Sequence, residues 1–125
     1  MSEGLFLGEE THEIIGICME VHRHLGHGFL EIVFKDAIEY EFRLRGIEYE
    51  REKEYQVIYK DTVPKHKFFA DFVIFDEIIL EVKSTKSIPD EFIAMGLNYL
   101  KVSENRVGLI VNFGKQSLEW KRIVY

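Results

Sequence analysis

The chain has few of the residues that staple, bend or anchor a fold. Its one cysteine, Cys18, rules out an internal disulfide and fits a reducing compartment, so the cytoplasm is the expected location. Cys18 falls on an apolar helical face, as a small core residue would, and is not expected to act as a nucleophile. No apolar run approaches the roughly 20 residues that cross a bilayer. Met1 to Glu10 holds three glutamates and no basic residue, so it lacks the cationic start of a secretory signal. Repeats, low-complexity tracts and linkers are missing too, and 125 residues suit a single core.

Excess positive charge is also lacking. The net charge of −6 argues at first against a nucleic-acid partner. The charge is uneven, however. Residues 1–59 carry 6 Lys/Arg against 13 Asp/Glu, whereas residues 60–125 carry 10 against 9. The second half is near neutral, and a bound divalent ion would make it locally positive. Non-specific DNA affinity is expected to be low.

Hydrophobic spacing predicts a first helix from a Thr11 cap to about Leu25, with Ile14, Cys18, Val21 and Leu25 on one face and Gly26 as its stop. A second helix is expected from about Leu30 to Arg45, burying Val33, Phe34, Ala37, Ile38 and Leu44 and ending at Gly46. Ile47 to Tyr59 reads as strand, clearest at Tyr55, Val57 and Tyr59, and a polar turn around Pro64 follows. Two apolar strands (67–75 and 78–84), a helix opened by Pro89, Asp90 and Glu91, and a strand from Val107 to Asn112 come next, with a last strand at Leu118 to Val124. The order α-α-β-β-β-α-β(-β) predicts an α+β fold, a mixed β-sheet flanked by helices, with one parallel pair across the third helix.

Apart from the turn at Asp76-Glu77, three charges sit inside the strands of the most apolar stretch, Phe68 to Lys83: Asp71, Glu81 and Lys83. A charge inside a buried strand is costly unless it is paired or binds a metal. Two carboxylates and a lysine on one patch of sheet would suit Mg²⁺-assisted phosphodiester cleavage. Asp71 and Glu81 would be ligands, with the Val82 carbonyl between them as a third. Lys83 would orient a water and stabilise developing charge. Register sets a condition. A two-residue turn at Asp76-Glu77 would put Asp71 on the opposite face from Glu81 and Lys83; a three-residue turn or a bulge would put it on theirs. The structural alternative is an Asp71–Lys83 ion pair with Glu81 at a wet edge.

Asp71 and Glu81-Val82-Lys83, with nine residues between, resemble the signature of the PD-(D/E)XK nuclease superfamily. Leu25-Gly26-His27-Gly28-Phe29-Leu30-Glu31-Ile32-Val33-Phe34 resembles the motif of its GxxExxY branch, and Glu39 to Ile47, Leu97 to Leu100 and Gly108 to Gly114 look like the same family. The resemblance implies one nuclease-like domain over 1–125 with a restriction-endonuclease-like core. It also implies Mg²⁺ or Mn²⁺ as cofactor, nucleic acid (DNA before RNA) as partner, and Glu31 as an early-helix acid completing the metal site. Glu31 could equally serve the helix dipole. The chain departs from the family pattern at three places. Phe34 stands for the motif tyrosine, His27 for a frequent proline, and Met95 for a glutamine before Leu97-Asn98-Tyr99-Leu100.

Other readings stay open beside this one. A nuclease-fold module could bind nucleic acid or a protein without cutting. A homodimer could use the aromatic residues of the second helix and Tyr55–Tyr59. His22 and His24 lie on different helix faces and cannot chelate zinc together, although His22 or His27 could face the site. Lys86, Lys101, Lys115, Lys121 and Arg122 could line a nucleic-acid path with Tyr99 and Trp120 as stacking partners, or be ordinary surface and packing residues.

Overall fold

Two helices open the chain, α1 (Gly8–Leu25) and α2 (Glu31–Leu44). The computed structural model describes residues 7–125; residues 1–6, part of the stretch read for a secretory signal, lie outside the described ones. In α1 the residues Ile14, Ile17, Cys18 and Val21 recur at three- and four-residue spacing and are buried. Thr11 is not the cap. The helix starts a turn earlier, with Glu9 and Glu10 at the positive end of its dipole, and the Thr11 hydroxyl donates to the Gly8 carbonyl at 3.1 Å. In α2 the buried stripe is Phe34, Ile38 and Phe42. Leu44, expected inside, is exposed, because the i+4 position after Ile38 is Phe42.

Five strands follow: β1 (Tyr49–Tyr55), β2 (Phe68–Ile74), β3 (Ile78–Lys83), β4 (Val107–Asn112) and β5 (Glu119–Val124), with α3 (Asp90–Ser103) between β3 and β4. They form one sheet in the order β1-β2-β3-β4-β5. Every neighbouring pair is antiparallel except β3–β4, the pair joined through α3. β1 is shorter than expected. Its partner begins only at Phe68, which pairs with Tyr55, so Val57 lies beyond the ladder and Tyr59 makes only an isolated bridge to Thr62.

The two faces of the sheet have separate cores. Phe72, Ile74, Ile78, Leu80, Val82, Leu109 and Val111 pack under α1 and α2. Ala70, Val73, Ile79, Ile110 and Ile123 pack with Leu100 of α3. Cys18 is fully buried, and burial pushes its thiol up to about 12, as a core residue requires. No helix among the described residues is long and apolar enough to cross a membrane.

Candidate metal centre

Ile74 pairs with Ile78, so the β2–β3 turn holds three residues, Phe75, Asp76 and Glu77. Phe75 and Asp76 adopt left-handed backbone (φ 55° and 57°), and the Glu77 N–H donates to the Ile74 carbonyl at 3.1 Å. This is the longer of the two turns considered. It sets Phe72 opposite Leu80, and continuing that register sets Asp71 opposite Glu81.

At that point the sheet opens. The β1–β2 ladder pairs Arg51 with Phe72 and Lys53 with Ala70 but leaves out Glu52 and Asp71, and Glu52 is left-handed (φ 55°). The β2–β3 ladder stops at Phe72–Leu80. Beyond it the carboxylates take over: the Asp71 N–H donates to Glu81 Oε2 at 2.8 Å, and the Val82 N–H donates to Asp71 Oδ2 at 2.8 Å. In an extended strand a residue's N–H and C=O leave on the same side. The Val82 carbonyl therefore also faces β2, on the Asp71 side.

Glu81 is only 7% exposed. Burial and the neighbouring Asp71 charge push its carboxyl up to about 8, against a pull downward from the Asp71 N–H, Lys83 and Lys35. Lys83, two residues on, shares its face. The Lys83 Nζ lies 4.7 Å from the centre of the Phe92 ring of α3. Glu81, Lys83, Phe92, Met95, Gly96, Tyr99 and Ile110 surround a cavity of about 10 Å³, room for one water or a bare ion.

The structural alternative does not form. Asp71 pairs with Lys35 of α2 rather than Lys83, at 3.1 Å from Oδ1, and Glu81 is in the core rather than at a wet edge. Lys35 also binds Glu52. Burial alone would lower the Lys35 ammonium, but its bonds to Glu52 and Asp71 hold it above the ordinary lysine value. Neither Lys35 nor Glu52 was among the expected site residues. Lys35 had a faint signal: it follows Glu31 by four residues and so shares its helix face.

The remaining expected residues are more scattered. Glu31 stands in the first turn of α2, and the charges that act on Glu81 come from Asp71, Lys83 and Lys35. His22 is turned away, its Nε2 donating to the Lys115 carbonyl at 2.8 Å and its ring against Phe113. His27 and Lys86 line a separate hollow of about 350 Å³ with Phe29, Ser84 and Gly114. Lys101 borders a groove beside Val57 and Ile58, while Lys121 and Arg122 lie on the edge strand β5, so the five cations do not form one track. Tyr99 stacks on Phe68 at 4.3 Å and is a packing residue. No cluster of three or more His, Cys, Asp or Glu able to hold a metal occurs among the described residues.

The donor set fits a hard divalent ion. Two carboxylates and one carbonyl offer none of the nitrogen or sulfur ligands typical of zinc and fall short of the six to eight oxygens of calcium, but Mg²⁺ and Mn²⁺ keep several waters and accept such a site. The family model of the PD-(D/E)XK nuclease superfamily matches residues 8–123. The crystal structure of SSO0001 resembles the chain with a TM-score of 0.53 at 20% identity, covering 96% of this chain and 79% of that one, a likeness of fold alone. No curated protein matches.

Proposed function

This chain belongs to the PD-(D/E)XK nuclease superfamily, and on that premise we propose that it is a metal-dependent nuclease of the GxxExxY branch, cutting phosphodiester bonds of nucleic acid, DNA before RNA, in the cytoplasm. One observation carries the proposal: Asp71 and Glu81 meet across two strands where the ladder opens, with Lys83 on the Glu81 face. Nucleases of this superfamily generally use divalent ions.

In this reading Asp71, Glu81 and the Val82 carbonyl hold Mg²⁺ or Mn²⁺. The bound ion supplies Lewis-acid polarisation of the phosphate and a more acidic water. Lys83, steadied over Phe92, presents an ammonium to the charge that develops on the phosphate. Glu31, one helical turn before Lys35, stays a candidate fourth residue. The dry setting of Glu81 strengthens each of these interactions.

The test joins binding to chemistry. Mn²⁺ titrated calorimetrically into wild type should bind, and Asp71→Ala should not. Lys83→Ala should keep the fold and lose cleavage of DNA and RNA. A protein that cuts neither substrate with any divalent ion sinks the activity reading. A second reading, a module that binds nucleic acid or a protein partner without cutting, draws support from the 10 Å³ cavity, too tight for a phosphodiester. It predicts metal-independent binding that survives Asp71→Asn.

A further inference from the structure

Lys35 touches Asp71 of the acid pair, yet the cleavage chemistry assigns it no task. Its side chain is 11% exposed and runs from α2 to Asp71 Oδ1 at 3.1 Å. Asp71 Oδ2 is already engaged by the Val82 N–H, so Oδ1 is the oxygen best placed to receive a cation, and Lys35 occupies it. The second partner, Glu52, sits in the gap of the β1–β2 ladder facing Asp71, turned by its left-handed backbone, and its side chain is 46% exposed. The Lys35 stem is long and flexible, while α2 beneath it is fixed by Phe34, Ile38 and Phe42. The ammonium can therefore change carboxylates without any movement of the helix.

We infer that Lys35 is a positioning residue that acts as a built-in counter-ion: it holds Asp71 in place when no metal is bound, competes with the divalent ion for Asp71 Oδ1, and retreats to Glu52 when the ion binds. This rests on the metal-site reading above. An ammonium and a divalent ion on one carboxylate repel, so one must leave. Without the ammonium the part-buried Asp71 charge would lie unpaired beside Glu81, which disfavours the metal-free fold. Glu52 gives the displaced ammonium a wetter carboxylate to rest on, and so lowers the cost of the exchange.

The inference makes opposite predictions for the two partners. Mn²⁺ is titrated calorimetrically into wild type, Lys35→Gln, Lys35→Arg and Glu52→Gln at fixed pH and ionic strength, with thermal melts of each protein. Lys35→Gln should bind Mn²⁺ about tenfold more tightly than wild type, melt lower without metal, and gain more from it. Lys35→Arg keeps the charge and should stay near wild type. Glu52→Gln removes the resting place and should bind several-fold more weakly. If Lys35→Gln does not fold, Lys35→Met and Glu52→Gln carry the test.

The outcomes separate cleanly. Binding by Lys35→Gln about tenfold tighter than that of wild type supports the exchange. Unchanged or weaker binding by Lys35→Gln, with binding still abolished by Asp71→Ala, overturns the exchange and leaves the metal site standing. An unchanged affinity in Glu52→Gln overturns the retreat to Glu52. No Asp71-dependent Mn²⁺ binding in wild type or in Lys35→Gln overturns both the metal site and the inference.

Discussion

Glu81 accepts the backbone N–H of Asp71 at 2.8 Å, so a carboxyl group in the core lies directly beside a second acid. Its carboxyl is pushed from 4.5 up to about 8, first by burial and then by the Asp71 charge. The consequence for stability has a definite sign. Below pH 4.5 the group is protonated in both folded and unfolded chains. From there to about pH 8 the unfolded chain gives up the proton and the folded chain keeps it, so this group's contribution to stability falls as pH rises. Urea unfolding of metal-free protein across that window should show the decline. Glu81→Gln should flatten it and add roughly 1–3 kcal/mol at the alkaline end. A curve that Glu81→Gln leaves unchanged would mean that another group titrates there.

The same proton must leave before Glu81 can serve as a metal ligand. Mn²⁺ binding near neutral pH should therefore release a proton and tighten as pH rises toward about 8. Calorimetry in two buffers of different ionisation enthalpy reads the release directly. Identical heats in both buffers would place the metal on a carboxylate that is already ionised.

The acids were legible because their cost is local. Asp71, Glu81 and Lys83 stand out as charges in an apolar run, and alternation alone shows that only an irregular hairpin gathers the two acids. The three-residue turn supplies that irregularity. The Lys35 contact was not legible in the same way, because it joins α2 to β2 across the sheet and no spacing rule links positions 35 and 71. Glu52 was hidden by its left-handed backbone inside a strand that otherwise alternates regularly. The early end of β1 followed from where its partner starts, which the Val57 and Tyr59 pattern could not reveal. Leu44 misled because a helix counts apolar residues by angle, and Phe42 held the inward position.

Beyond Lys83 the chain is clamped by Asn112. This buried amide accepts the N–H groups of Thr85 (2.9 Å) and Gly114 (3.0 Å) and donates to the Thr85 carbonyl (3.0 Å) and Glu119 (3.1 Å). The backbones touch so closely that a Cβ on Gly114 would lie 2.1 Å from the Thr85 carbonyl oxygen. Asn112→Leu removes all four bonds to these part-buried groups and should cost about 2–4 kcal/mol in urea unfolding. Gly114→Ala should destabilise as well, since backbone rather than a flexible side chain stands in the way. A loss below about 0.5 kcal/mol in Asn112→Leu would show that water replaces the clamp.

Met95 of α3 lies beside the Glu81 end of the acid pair. It lines the 10 Å³ cavity with Glu81 and Lys83, and 42% of it is exposed. A bare ion fits that space and a phosphodiester does not, so a strand reaching Lys83 through this cavity would have to displace Met95. Met95→Ala removes the obstruction at a half-exposed site. It should raise kcat/KM several-fold, leave Mn²⁺ affinity unchanged, and cost under about 1 kcal/mol of stability. Met95→Gln keeps the length but adds an amide able to bond a water or a phosphate oxygen; it should raise kcat rather than lower KM. The two variants separate access from chemistry. If neither changes cleavage of DNA or RNA while Lys83→Ala abolishes it, substrate enters from the Asp71 side and Met95 is packing alone.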